Sequence, residues 1–153
     1  MLPDIVIRLA RPDDFAAWKP LWDGYNAFYG RAGATALPDA ITKTTWARFH
    51  DDNEPMHALV AERGDVLLGI VHYLFHRSTI VEAPTCYLQD LFTVEASRGL
   101  GIGRALIEEV ARAARASGSA RVYWLTHETN TQAMALYDQV AEKSGFIVYR
   151  KTL

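Results

Sequence analysis

One stretch of the sequence decides the fold. A strand-forming run, Leu88-Gln89-Asp90-Leu91-Phe92-Thr93-Val94, is followed three residues later by Arg98-Gly99-Leu100-Gly101-Ile102-Gly103-Arg104. The second segment opens a helical pattern, rich in alanine, that runs to Ala116. Alternating glycines let the backbone approach a ligand closely, and N–H groups at a helix start attract negative charge. Since Arg98 and Arg104 flank the turn and add charge-assisted contacts, the stretch predicts a pyrophosphate site.

Hydrophobic periodicity on either side of this stretch predicts the order β-α-α-β-β-β-α-β-α-β. The predicted strands are Ile5–Leu9, Ala58–Ala61, Val66–Phe75, Tyr87–Val94, Val122–Leu125 and Phe146–Tyr149. The predicted helices begin at Pro12 and near Asp39, and later cover Ile102–Ala116 and Thr131–Val140. The first strands are joined by turns and the later ones by helices. This pattern indicates one α/β domain, residues 1–153, with a mixed, mostly antiparallel central sheet and helices on both faces.

Length and charge exclude several classes of function. The chain has 153 residues, which fits one domain, and a formal net charge of −2, which offers no basic field for nucleic acid or anionic lipid. No run approaches the roughly 18 apolar residues that a membrane span needs. The start, Met1-Leu2-Pro3-Asp4, lacks the basic and apolar regions of a signal peptide. Cys86 is the single cysteine, so no intrachain disulfide forms, and we expect a cytoplasmic protein.

Two common phosphate-binding patterns fit the glycine stretch poorly. A Walker loop needs Gly-Lys-Ser/Thr at the helix start, whereas Gly103 is followed by Arg104-Ala105. A dinucleotide fingerprint reads G-x-G-x-x-G near the first strand of a βαβ unit, whereas this G-x-G-x-G follows a hairpin late in the chain. An NAD- or ATP-binding domain is therefore a weaker hypothesis. The other alternative is an ordinary glycine-rich strand–helix turn that binds no ligand.

The segment Arg98-Gly99-Leu100-Gly101-Ile102-Gly103 resembles the pyrophosphate loop of the GCN5-related N-acetyltransferase (GNAT) superfamily, Arg/Gln-x-x-Gly-x-Gly/Ala. The resemblance implies acetyl-CoA as cosubstrate and a sheet that is splayed to hold it. In that superfamily the loop amides hold the pyrophosphate, and the preceding strand pairs with the pantetheine arm. The residues implied at this site are Phe92, Thr93, Val94, Arg98, Gly99, Leu100, Gly101, Ile102, Gly103 and Arg104.

A second segment of the family pattern lies downstream. Asn130 opens a predicted helix, Tyr137 lies about two turns later, and Ser144-Gly145-Phe146 resembles a late Gly-Phe pair. The resemblance implies a pantetheine contact for Asn130 and a proton from Tyr137 to the departing sulfur. A helix cap would equally explain Asn130, and a core aromatic would explain Tyr137. The stretch from Asp138 to Ser144 is longer than in many members of the family, so we expect a longer helix or an added loop there.

The proton acceptor is not fixed by the sequence. Tyr87 to Phe92 resembles the corresponding strand of spermidine/spermine-type diamine acetyltransferases, which usually carry Leu-Glu-Asp, but Gln89 replaces the glutamate. A glutamine accepts no proton at working pH. Strand alternation places Asp90 on the opposite face from Gln89, so Asp90 reaches an amine only if the strand splays or bulges. Glu128, His127 and a chain of water molecules remain the alternatives.

The first two helices carry the expected acceptor side. Trp22 and Tyr25, with Gln89 and Glu128, are the candidate substrate-binding residues, because an aromatic wall with polar groups suits a cationic amine. The same aromatic spacing is also typical of core packing. His72 and His76 share one strand face without a Cys or an acid to complete a ligand set, so no metal site is expected.

The resemblance thus implies an N-acetyltransferase that acts by direct attack of a primary amine in a ternary complex, with Tyr137, Gln89 and Asp90 as catalytic candidates. Small polyamine-like or lysine-like acceptors are favoured, and a protein lysine or N-terminal amine is the close alternative. A non-catalytic CoA-binding sensor is the rival from another class. The resemblance also implies a homodimer.

Overall fold

The computed structural model describes residues 4–153; the first three residues, which entered the signal-peptide argument, lie outside it. The helices are α1 (Phe15–Phe28), α2 (Asp39–Phe49), α3 (Ile102–Ala116) and α4 (Thr131–Val140). The strands are β1 (Ile5–Leu9), β2 (Met56–Arg63), β3 (Val66–His76), β4 (Thr85–Thr93) and β5 (Val122–Tyr123). The predicted α/β class and mixed sheet are confirmed. Among these residues no helix is long and apolar enough to cross a membrane.

The sheet has the strand order β1-β2-β3-β4-β5. The first four strands pair antiparallel, whereas β4 and β5 pair parallel through only Cys86↔Val122 and Tyr87↔Tyr123. Beyond Tyr87 the two strands separate, while β4 stays paired with β3 as far as Thr93. Among residues 4–153, no strand therefore covers the backbone edge of the second half of β4, which is the expected splay.

Helices cover both faces of this sheet. On one face α1 and α2 bring Trp18 and Trp46 against Val60 of β2 and Ile70 of β3. On the other face α3 buries its apolar stripe, which includes Ile102, Leu106, Ile107, Val110 and Ala114. The spacing of these α3 residues is that of one helix face, which is why the sequence predicted α3 with its observed bounds.

A β-bulge interrupts β4 at Gln89. His72 pairs with Asp90, but the next residue of β3, Tyr73, pairs with Leu88, so Gln89 has no partner on β3. In a regular strand residues 88 and 90 would share a face. The extra residue instead leaves Leu88 in the core beside α3 and puts Asp90 beside His72, on the side of α1 and α2.

The predicted final strand at Phe146–Tyr149 is wrong for the isolated chain. After α4 ends at Val140, residues 141–153 form neither helix nor strand, and all of them are exposed. Phe146 and Tyr149 expose 90% and 89% of their surface. The composition does favour a strand, but a strand needs a neighbour, and this segment packs against no sheet edge of its own chain.

Candidate active site

Two glycines shape the loop between β4 and α3. Gly99 and Gly101 have φ angles of 83° and 82°, a left-handed conformation that residues with a Cβ rarely adopt. Gly101 is the residue immediately before α3, so the chain turns sharply into the helix there. This geometry explains the glycines at these two positions.

The start of α3 presents unused backbone donors. The first backbone hydrogen bond of the helix joins the Ala105 N–H to the Gly101 carbonyl at 3.0 Å, so the N–H groups of Ile102, Gly103 and Arg104 precede the first acceptor within the helix. The helix start has no side-chain cap and no acidic residue in its first turn. An end of this kind, on a 15-residue helix, suits an anion such as a phosphate.

The residues flanking these donors have different environments. Arg98 donates from Nε to the Thr93 carbonyl at 3.3 Å and lies over the Phe92 ring, 5.9 Å from its centroid. Arg104 donates to Gln139 of α4. Ile102 is buried, so only its backbone faces the loop, whereas Leu100 is exposed.

The open edge of β4 lies next to this loop. The N–H of Val94 donates to the Leu68 carbonyl of β3 at 2.9 Å. Since alternate N–H groups along a strand point to the same side, the N–H of Thr93 points away from β3, towards the space where β4 and β5 have separated. Thr93 therefore offers a donor on the open edge, whereas Phe92 and Val94 direct theirs to β3.

Helix α4 positions Asn130 and Tyr137. The Asn130 carbonyl accepts from the Met134 N–H at 3.1 Å, but its side chain does not cap the helix and instead donates to Thr126 Oγ1 at 3.4 Å. The alternative explanation of Asn130 as a side-chain cap is therefore wrong. Tyr137 packs edge-on against Trp124, with 5.4 Å between ring centroids. Burial first, and then the nearby Tyr29, raises the pKa of the Tyr137 hydroxyl, which keeps it protonated.

A buried network holds Asp90. Trp18 Nε1 donates to His72 Nε2 at 3.0 Å, so that ring nitrogen carries no proton. His72 Nδ1 consequently bears the proton and donates it to Asp90 Oδ2 at 2.9 Å. His72 is 3% exposed and also packs on Phe49, 4.6 Å between ring centroids. The imidazole thus fixes the orientation of the Asp90 carboxylate from the core side.

Tyrosine hydroxyls surround the other side of Asp90. Burial first, and then the charge of Asp90, raises the pKa of Tyr25 far above its usual range. The same two causes raise the pKa of Tyr29 and Tyr87. Arg31, which lies 5.6 Å from the Tyr29 ring centroid, acts in the opposite direction on Tyr25 and Tyr29. Asp90 and Arg31 therefore bring opposite charges to one tyrosine-lined region.

A cavity opens beside this network. Gln89 and Asp90 both border it, together with Trp22, Thr45, Phe49, Met56, His72, Tyr73 and Leu74. The bulge is the condition under which Asp90 was expected to reach an amine, and it brings Gln89 and Asp90 to the same cavity. Trp22 is only 7% exposed and donates from Nε1 to Thr42 Oγ1 at 3.1 Å. Glu128 is exposed in the loop after β5 and is not among the residues that border this cavity.

No sequence pattern predicted the roles of Trp18 and His72. Their contact joins residues 54 positions apart, and it depends on the register of β3 against β4. His76, on the same strand, does not join this network; its Nε2 instead forms a hydrogen bond with the Tyr123 hydroxyl, at 2.9 Å. Within residues 4–153 no group of three His, Cys, Asp or Glu side chains is placed to hold a metal ion.

Comparisons with known proteins agree with this arrangement. The model of the acetyltransferase (GNAT) family matches residues 18–141. The chain is 35% identical over 150 residues to the D-amino-acid N-acetyltransferase HPA3 of Saccharomyces cerevisiae, covering 96% of this chain and 90% of that protein.

Two further similarities are more distant. Thialysine N-epsilon-acetyltransferase of Caenorhabditis elegans is 30% identical over 104 residues, covering 65% of this chain and 64% of that protein. A crystal structure of aminoglycoside N-acetyltransferase AAC(6')-Iy in complex with CoA has the same fold, with a TM-score of 0.82 at 15% identity, covering 97% of this chain and 94% of that one. With its family model matched over most of its length, the chain belongs to the acetyltransferase (GNAT) family and is an acetyl-CoA-dependent N-acetyltransferase.

Proposed function

We propose that this enzyme acetylates the primary amine of a small amino-acid-like or polyamine-like molecule. The observation that carries the proposal is the uncapped N-terminus of α3 beside the open edge of β4. A pyrophosphate on the α3 amides and an extended pantetheine arm along Thr93 would place a thioester near the Gln89 bulge. The residues proposed for this are those of the loop and β4 named from the sequence, with Asn130 alongside the arm.

Acetyl-CoA supplies an acetyl group that is already activated as a thioester. The amine nitrogen forms a bond to the acetyl carbon, and the carbon–sulfur bond breaks with its electron pair on sulfur. The Thr93 N–H on the open edge polarises the carbonyl oxygen in this proposal. Tyr137, which burial keeps protonated, gives its proton to the sulfur.

We propose that Asp90 is the group that accepts the proton from the amine. A free alkylamine is mostly protonated at neutral pH and must lose a proton before it attacks. The bulge brings Asp90 to the cavity, and the His72 N–H holds its carboxylate in place. Gln89, on the bulge itself, then orients the amine, while Glu128 is the competing carboxylate. The hypothesis of a non-catalytic sensor rested mainly on the absence of a glutamate at position 89. Because Asp90 supplies a carboxylate at the neighbouring position, that support is removed.

Two opposite charges near Tyr25 and Tyr29, those of Asp90 and Arg31, support an acceptor that carries both an amine and a carboxylate. An ammonium group directed at Asp90 would leave a carboxylate free to approach Arg31, whose guanidinium lies 5.6 Å from the Tyr29 ring centroid. Trp22 and Tyr25 form the adjoining aromatic wall. Two relatives bear names of enzymes that act on D-amino acids and on thialysine, both of which are amino acids. Polyamines and peptide amines are the alternatives, and a cytoplasmic homodimer is the proposed context.

The acceptor is tested by thiol release from acetyl-CoA with matched pairs of amines. We expect turnover with lysine, thialysine and D-amino acids, and a kcat/KM at least about tenfold lower for cadaverine, which is lysine without its carboxylate; tenfold corresponds to about 1.4 kcal/mol. Spermidine and a lysine peptide complete the panel. If CoA bound but no amine released thiol, the chain would be a sensor. A preference for cadaverine would remove Arg31 from acceptor recognition.

The CoA loop is tested by a pair of glycine substitutions. Gly99 and Gly118 have φ angles of 83° and 82°, and an added Cβ would meet nothing within 4 Å at either. Gly99→Ala and Gly118→Ala should therefore lose similar stability, of order 1 kcal/mol. Only Gly99→Ala, at the α3 start, should weaken CoA binding in calorimetry, by about tenfold or more. Equal affinities of the two variants would place the pyrophosphate elsewhere.

Tyr137→Phe should lower kcat by about 10²-fold, since one general acid contributes that much, and should change the KM for acetyl-CoA little. Because burial raises the pKa of Tyr137, its proton is lost only above the usual range for tyrosine, and wild-type turnover should not decline through this group between pH 7 and about pH 10. Tyr149→Phe, which removes an exposed hydroxyl, is the control. An unchanged kcat in the Tyr137→Phe variant would show that Tyr137 is not the general acid.

Asp90→Asn should lower kcat/KM by about 10²-fold or more, because asparagine keeps the size and the acceptor oxygen of Asp90 but takes up no proton. Glu128→Gln, the same change at the rival carboxylate, should lower it by less than tenfold. Thermal unfolding of both variants controls for the loss of the His72 contact. If Glu128→Gln were the more impaired variant, the role of proton acceptor would pass to Glu128.

A further inference from the structure

Both ring nitrogens of His72 are engaged by neighbouring side chains. Nε2 accepts the indole N–H of Trp18 at 3.0 Å, and Nδ1 lies 2.9 Å from Asp90 Oδ2. Trp18 is fully buried, and the side chain of Asp90 is only 12% exposed. A neutral imidazole has one donor nitrogen and one acceptor nitrogen, so the two contacts together use the whole hydrogen-bonding capacity of the neutral ring.

A second proton on His72 would conflict with Trp18. The proton would have to be added at Nε2, where the indole N–H already points, and an indole N–H can only donate. Two donors would then face each other in the core, and the Trp18 N–H would lose its acceptor. A buried donor that loses its partner costs more free energy than an ordinary hydrogen bond contributes. The Trp18 N–H therefore opposes a positive charge on His72.

The charge of His72 matters to Asp90. A cation within hydrogen-bond distance favours the charged form of a carboxylate, which then accepts a proton less readily. A neutral N–H donor orients the carboxylate with a weaker effect of this kind, because it adds no net charge. A proton acceptor is thus better served by a neutral imidazole than by an imidazolium.

The side chains that pack on His72 bring no other charge to it. They are Trp18 and Trp22 of α1, Phe49 of α2 and Asp90 of β4, and of these only Asp90 can ionise.

The tyrosines near Asp90 are neutral donors. Burial first, and then the charge of Asp90, raises the pKa of Tyr25 and Tyr29 of α1 and of Tyr87 of β4, so these hydroxyls keep their protons at neutral pH. Arg31, which follows α1, is the cation beside Tyr29. Of the groups named around Asp90, His72 is therefore the one whose charge can change near neutral pH.

We infer that Trp18 acts through His72 as a positioning residue for the proton acceptor: its indole N–H keeps the imidazole neutral, so that Asp90 is held in place without forming an ion pair. The inference rests on the proposed role of Asp90. When the amine gives up its proton, Asp90 becomes a neutral carboxylic acid, while His72 keeps its Nδ1 proton and Trp18 keeps its indole proton.

The protonation state of His72 tests the inference without turnover. In ¹⁵N NMR of the full-length protein, the His72 signals, assigned by their loss in His72→Asn, should show a proton on Nδ1 and none on Nε2. At about pH 6.5, where an unperturbed histidine is half protonated, His72 should be more highly protonated in Trp18→Phe than in the wild type. Trp46→Phe is the matched control, because Trp46 packs 4.6 Å from Trp18 but does not pack on His72. A wild-type proton on Nε2 would overturn the inference.

The kinetic consequence is read from the ratio of variant to wild-type kcat/KM. Trp18→Phe should lower kcat/KM by at least about tenfold at about pH 6.5 and by little at about pH 9, because high pH removes the second proton from His72. A loss of packing alone would be similar at both pH values. In Trp18→Phe/His72→Asn this pH dependence should disappear, since asparagine keeps a neutral donor and takes up no proton. A deficit that is constant with pH, or that keeps its pH dependence in the double variant, would contradict the inference.

Two substitutions at His72 keep the test decisive if Trp18→Phe does not fold, which thermal unfolding and calorimetry with CoA report. His72→Asn leaves a neutral donor beside Asp90 and should keep kcat/KM within about tenfold of the wild type, whereas His72→Leu should lower it by about 10²-fold. Equal loss in both variants would overturn the inference. Failure of the proposed function looks different: Asp90→Asn would be active while the His72 proton still lay on Nδ1.

Discussion

The site depends on β4 being paired along one edge and free along the other. Pairing with β3 extends to Thr93, which fixes the strand, whereas pairing with β5 ends at Tyr87. A backbone edge that is both rigid and unpaired can hold an extended ligand without a loss of order in the protein. The same separation leaves room in front of the α3 N-terminus, so one departure from regular sheet geometry positions both parts of the proposed cosubstrate site.

The bulge at Gln89 places the polar side chains of Gln89 and Asp90 at the point where this open edge begins. Without it, Asp90 would share the face of Leu88 and would lie in the core beside α3. With it, Asp90 reaches His72 and the tyrosines of α1, and Gln89 is left at the strand's free surface. A buried carboxylate is costly unless donors hold it, and the His72 N–H is such a donor. Trp18, in turn, selects the imidazole tautomer that can donate.

How well the sequence predicted each part depends on how local that part is. The glycine turn and α3 are encoded within Arg98–Ala116 by backbone conformation and periodicity, so the sequence predicted them. The bulge depends on the register of β3 against β4, which no local pattern specifies, and the sequence therefore left the reach of Asp90 conditional on a splay or a bulge. The Trp18–His72 contact could not be predicted from the sequence for the same reason. At Phe146–Tyr149 the error is of the opposite kind. The local sequence favours a strand, but among residues 4–153 no strand pairs with this segment, so a strand does not form.

The uncovered strand edges of this sheet differ in what can reach them. The edge of β4 faces a cleft between diverging strands, where a narrow ligand can enter but a further protein strand would have to displace β5. The outer edges of β1 and β5 have no further strand beside them among residues 4–153, and a terminal strand edge of this kind is accessible to other protein chains.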